Sequence, residues 1–118
     1  QEAQWLKEVV KSEEFINAKT RIVFCHMNPD DNGWYGQATI SKYLVPILNE
    51  AGIDLMLCGH IHKFRYDKPG TTSADFPVIC NPNLRLMEAS VKADNIRLEF
   101  LDEEKVVKTI DIRPGAWR

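Results

Sequence analysis

The sequence predicts a mixed α/β fold, a strand–helix–strand unit with parallel strands followed by an antiparallel extension. Two apolar runs, "TRIVFC" and "IDLMLC", lack polar alternation and read as strands covered on both faces. Apolar residues recur at helical spacing between them, and the pattern beyond them changes to short alternating stretches divided by polar turns. Strand, helix, strand in that order is a βαβ unit.

In the first segment Trp5, Leu6, Val9 and Val10 share one side of a 3.6-residue period, with Glu2, Lys7, Glu8 and Lys11 on the other, which predicts an amphipathic helix. The first apolar strand, Thr20 to Cys25, opens into the polar loop "HMNPDDNGWYG". From Ile40 the residues Ile40, Tyr43, Leu44, Ile47 and Leu48 predict the crossover helix, and Gly52 stands where a C-cap glycine belongs. Pro46 inside that helix implies a kink or a late start, because proline removes a backbone donor and crowds the preceding turn. After the second strand, "FPVICNP" reads as a short strand. The stretches Leu86–Ala93, Asn95–Leu101 and Lys105–Ile112 read as strands joined by hairpin connections at "AD" and "DEE".

With 118 residues and no linker rich in Gly, Ser or Pro, the chain is expected to form one domain over 1–118. The apolar share of 44% contains no run long enough to span a bilayer, so no membrane partner is expected. The net charge of -2, with lysines and arginines scattered, offers no basic patch for DNA or RNA. The three cysteines, Cys25, Cys58 and Cys80, each close an apolar run without a Cys-x-x-Cys pair, which favours buried small hydrophobes. The opening "QEAQWLKEVV" has neither an initiating Met nor the layout of a signal peptide.

All three histidines follow the two long apolar runs: His26 closes one, and His60 and His62 close the other behind Gly59. Ligands of open α/β sheets sit at the carboxyl ends of parallel strands, so these positions make His26, His60 and His62 candidate metal ligands. In an extended segment residues two apart project to one side about 6.6 Å apart, close enough to chelate one metal or serve two neighbours. Gly59 removes a side chain where backbone would approach a bound group. Against this, single histidines are commonly surface or hydrogen-bonded residues, and His-x-His by itself is a weak pattern.

A dinuclear centre would also need carboxylates to bridge and neutralise it. Asp54 begins the second strand, roughly 20 Å from the histidines at the strand rise, and is excluded. Asp30 and Asp31 lie nearer, but an acidic pair beside Asn32-Gly33 reads first as turn chemistry. Trp34 and Tyr35, on the same loop, either line a cleft or pack as a lid.

Taken together, "QWLKEVV", "RIVFCH" and "LVPILNEAGIDLMLCGHIH", followed by strands to Ile112, resemble the C-terminal half of the calcineurin-like metallophosphoesterases over nearly the whole chain. The Gly-His-x-His after "AGIDLMLC" is the most specific piece. The resemblance implies one half of a four-layer α/β/β/α sandwich. It further implies that His26 and His60 coordinate one metal of a dinuclear pair and His62 the other. Two divalent or mixed-valence ions (Mn, Fe or Zn) would activate a hydroxide against a phosphomonoester or phosphodiester. The loop after His26 departs from the pattern, since Met27 and Asn28 intervene before Pro29. The family's upstream motifs Asp-x-His, Gly-Asp-x-x-Asp and Gly-Asn-His-Asp/Glu match no stretch of the sequence. The expectation is therefore a C-terminal portion of a longer phosphoesterase. By itself it would hold at most one metal weakly, lack activity and self-associate through apolar faces left uncovered. The alternatives are a non-catalytic metal-binding or interaction module and a self-contained three-His zinc hydrolase, for which no general base is evident.

Overall fold

The computed structural model describes residues 2–29 and 35–117. Strand β2 (Leu55–Cys58) is buried along its whole length. It runs parallel between β1 (Ile22–Cys25) and β4 (Val78–Cys80), and β3 (Arg65–Asp67) joins antiparallel beyond β4, giving the order β1-β2-β4-β3. A continuous apolar run is what a strand with two buried faces requires, and the side chains divide between them. Met56, Cys58, Val78 and Cys80 pack toward the helices with Val45, Leu48 and Phe76. Leu55, Leu57 and Ile79 pack instead against Ile96, Leu98, Phe100 and Ile112.

Those last four residues all belong to a second sheet, β5 (Leu86–Val91), β6 (Ile96–Asp102) and β7 (Lys105–Ile112), antiparallel in sequence order. Alternation along β6 sends Ile96, Leu98 and Phe100 inward, as "NIRLEFLD" predicts. Both hairpins close where expected. Lys92 and Asn95 exchange backbone hydrogen bonds of 2.8 and 3.4 Å around Ala93-Asp94. Between Asp102 and Lys105, Glu103 and Glu104 take φ of 48° and 69°, the paired left-handed conformation that matches the twist of a hairpin.

Helix α1 (Glu2–Val9) places Leu6 against the helix-side core but leaves Trp5 63% exposed, so the predicted apolar stripe is only partly covered. A short helix α2 (Glu13–Asn17) is capped by Ser12, whose hydroxyl accepts from the Phe15 N–H at 3.3 Å. The crossover begins earlier than Ile40, as α3 (Tyr35–Thr39), and reaches α4 (Val45–Ala51) through a π-helical segment, Ile40–Leu44. The Val45 N–H bonds the Ile40 carbonyl five residues back. This wider turn sits immediately before Pro46, the residue that cannot supply a regular helical donor, and is the form the expected kink takes. Gly52 ends α4 at φ 79° and donates to the Leu48 carbonyl at 3.1 Å.

Two sequence expectations are corrected. Strand β1 is not covered on both faces: it is a sheet edge, and Phe24 is 79% exposed. Phe24 and Trp5 line an open apolar cleft of about 220 Å³ with Leu6, Ile40 and Leu44. Strand β3 was not expected, because "RYD" is too short and polar to signal a strand by itself and forms by pairing with β4.

Asp54, 1% exposed, fastens the amino ends of the parallel strands. Its carboxylate accepts the Arg21 N–H at 2.8 Å and the Gly115 N–H at 2.6 Å, tying the entry to β1 and the segment after β7 to one group. Asp54→Ala should lower stability by about 2–4 kcal/mol, since it strands two donors in a buried place, and Asp54→Asn by less. Urea denaturation of the two variants checks this, and an unchanged midpoint for Asp54→Ala would contradict it.

Candidate functional site

The register of β1 on β2 pairs Cys25 with Cys58, so the residues just beyond them, His26 and Gly59-His60, leave the sheet side by side. The Gly59 N–H continues the ladder by donating to the His26 carbonyl at 3.0 Å. The imidazoles meet there: His60 Nδ1 lies 3.2 Å from His26 Nε2, with ring centroids 5.0 Å apart and planes at 77°. His26 is exposed and His60 half-buried, so the pair opens to solvent.

Two imidazole nitrogens at that spacing share something between them. One N–H can donate to the other ring's lone pair, with the tautomer setting the direction. The spacing also suits a common metal, because two nitrogens about 2.0–2.1 Å from one tetrahedral ion lie about 3.3 Å apart. The pair can supply two neutral ligands to one ion and no charge compensation.

The turn that aims His60 is strained. The Ile61 N–H donates to the Gly59 carbonyl at 2.8 Å, closing a three-residue turn whose central residue, His60, has φ 66°. A γ-turn of this hand is rare and costly for a residue with a Cβ, and such conformations concentrate where a side chain must be presented. His62 also has φ 60°, and its carbonyl accepts from Asn83 N–H at 3.2 Å. The expectation of an extended Gly-His-x-His segment with both rings on one side is therefore corrected, because left-handed residues at both histidines turn the chain. Among the described residues no three His, Cys, Asp or Glu side chains come together as a metal-holding group, so His62 does not complete a cluster with the pair. At Gly59 an added Cβ would meet the His26 carbonyl oxygen at an ordinary 3.9 Å, so the protein's own packing does not demand glycine there.

Asp54 lies at the opposite strand end in its structural role, as expected. Asp30, Asp31, Trp34 and the Tyr35 side chain fall outside the described residues. The three cysteines stand in register across β1, β2 and β4 directly beneath the histidine loops, with Cys58 and Cys80 buried. A hydrogen bond with Cys80, followed by burial, pushes the Cys58 thiol far up, and burial raises Cys25. Cys25 and Cys58 are thereby held as neutral thiols, in keeping with the small-hydrophobe reading.

Sequence reasoning missed what supports His26 from behind. Asn28 and Gln37 are fully buried, and Gln37 Nε2 donates to Asn28 Oδ1 at 2.7 Å, pinning the start of the loop to α3. The Ser41 hydroxyl donates to the Pro29 carbonyl. Met27 packs so close to Gly36 that a Cβ there would lie 2.6 Å from the sulfur. The signal was an Asn-Pro step and a glycine eight residues on, which individually read as ordinary loop residues.

No family model and no curated protein among those compared matches the sequence. Among solved structures the fold is similar to that described as "GAP50 the anchor in the inner membrane complex of Plasmodium", with TM-score 0.63 and 17% identity. The match covers 98% of this chain and 42% of that one, so the chain spans less than half the length of the structure it resembles.

The left-handed turn makes a specific prediction about substitutions that both lack the imidazole. Glycine elsewhere destabilises relative to alanine by about 0.5–1 kcal/mol, but here His60→Gly should be more stable than His60→Ala by about 1 kcal/mol. Equilibrium unfolding of the two variants measures the order, and alanine at or above glycine would contradict the turn.

Proposed function

We propose that this chain contributes His26 and His60 to the metal centre of a longer, metal-dependent phosphoesterase that hydrolyses phosphomonoesters or phosphodiesters. The observation that carries the reading is the meeting of the His26 and His60 nitrogens at 3.2 Å beyond the carboxyl ends of adjacent parallel strands, one of them aimed by a strained turn. In such enzymes the bound metals supply a hydroxide at neutral pH and charge stabilisation for the phosphoryl oxygens. The part this chain plays is to hold and orient two neutral imidazoles. The ladder hydrogen bond from Gly59 fixes their backbones relative to each other, and the buried Asn28–Gln37 pair fixes the loop behind them. His62, which joins no such cluster among the described residues, would act on a second metal or on substrate only together with groups from outside these residues.

Two imidazoles bring no negative charge, so carboxylate ligands must come from elsewhere in the longer protein for a dinuclear centre to form. This supports the inactivity expected of the 118-residue chain by itself. A second reading, a non-catalytic module that keeps the fold, is motivated by the description of the Plasmodium protein of similar fold as an anchor.

The experiment uses the longer protein with its upstream sequence, assayed on p-nitrophenyl phosphate and its bis ester with Mn²⁺, Zn²⁺ or Fe²⁺. His60→Ala and His26→Ala should remain folded, lose metal and lose turnover by at least about 100-fold. The 118-residue chain should show no metal-dependent turnover. Wild-type metal content and rate in either variant would refute the assignment, and metal binding without hydrolysis by the parent would favour the second reading.

A further inference from the structure

On the face of the first sheet away from the helices, Phe64, Pro82, Asn83, Arg85, Phe100 and Lys108 enclose, with Val107, a cavity of about 310 Å³. This is within the size range of small-molecule sites. Its location ties it to the histidine loop: Phe64 lies two residues past His62, and the Asn83 N–H holds the His62 carbonyl at 3.2 Å. We infer that this cavity binds a compact apolar group carrying a negative charge.

The wall chemistry sets the ligand class. Phe64, packed edge to face on the buried Phe100 with centroids 5.5 Å apart, makes an apolar wall with Pro82 and Val107. Two cations stand beside it. Lys108, an exposed residue, places its Nζ 3.8 Å from the Phe64 ring centroid. The Arg85 guanidinium contacts the Asp102 carboxylate at 3.5 Å and donates to the Leu84 carbonyl at 3.2 Å. The Asp102 contact is long and both partners are solvent-accessible, so it holds the guanidinium weakly. An arriving anion can accept from Arg85 and Lys108 together while its apolar body rests on Phe64, Pro82 and Val107. A neutral apolar molecule would gain nothing from the two cations, and a bare inorganic anion would forgo the apolar wall. The site therefore selects for both features at once.

The strand pairing that builds this wall also explains why a lysine sits there. Lys108 on the edge strand β7 is opposite Phe100, a core residue 1% exposed, so it stands at the border of the inter-sheet core. Inward charge on an edge strand discourages edge-to-edge pairing, and here the same charge faces a cavity.

The test is an NMR titration of the 118-residue chain without metal, using phenyl phosphate, inorganic phosphate and phenol as probes. Phenyl phosphate should bind more tightly than either of the others and shift the amides of Phe64, Asn83, Phe100 and Lys108. Arg85→Gln and Lys108→Gln should each weaken it by about tenfold, the equivalent of one charged hydrogen bond. A His26→Ala/His60→Ala variant should bind it as the wild type does, which separates this site from the metal reading. Phenyl phosphate binding no better than inorganic phosphate or phenol, or shifting only the histidine loops, would overturn the proposal. The wild-type comparison of probes stands even where a variant fails to fold.

Discussion

The burial of β2 on both faces is the constraint on which the rest depends. Leu55 and Leu57 must reach the second sheet while Met56 and Cys58 reach the helices, and a slip of one residue would exchange the two sets. Each fully buried side chain of this size is worth about 1.5–3 kcal/mol, so the register is held by several such terms at once. That register brings Cys25 opposite Cys58 and Cys58 opposite Cys80. The histidines emerge one step beyond this row. Core packing thus brings residues 34 positions apart in the chain to one place.

The polar groups at the two ends of the parallel strands differ accordingly. Asp54, at the amino ends, is enclosed and saturated by backbone donors, and its contacts close the fold. The pair at the carboxyl ends is open, and its nitrogens face each other. A buried, satisfied carboxylate has a structural office, while a pair of bases open to solvent, one of them on a strained turn, has chemistry to offer a ligand. Metal binding by that pair is the step from geometry to the proposed phosphoester chemistry. The similarity to the Plasmodium structure bears on the fold alone.

Much of this was legible because it rests on periodicity. The two parallel strands, the C-cap at Gly52, both hairpins and the strand-end position of His26 and His60 follow from runs, alternation and turn chemistry along the chain. What was not legible depends on partners far away in sequence or on backbone conformations a pattern does not encode. Phe24 reads as core because a strand cannot announce that it is an edge. "RYD" becomes a strand only because Cys80 to Val78 offers it a free edge. The same period-2 logic that set His60 and His62 on one side fails because both residues are left-handed, a state the sequence gives no reason to expect of histidine. Asn28 and Gln37 read as loop residues, yet both are fully buried and joined by the hydrogen bond from Gln37 Nε2 to Asn28 Oδ1.

The central claim is that the His26–His60 pair is a metal-binding geometry and not merely a hydrogen bond between two rings. Anomalous diffraction from crystals of the chain soaked in Zn²⁺ or Mn²⁺ addresses it most directly. The account predicts one peak about 2.0–2.1 Å from a nitrogen of each of His26 and His60, with the parallel strands unmoved. A peak held elsewhere, with the two rings still in contact and no ion between them, would contradict it.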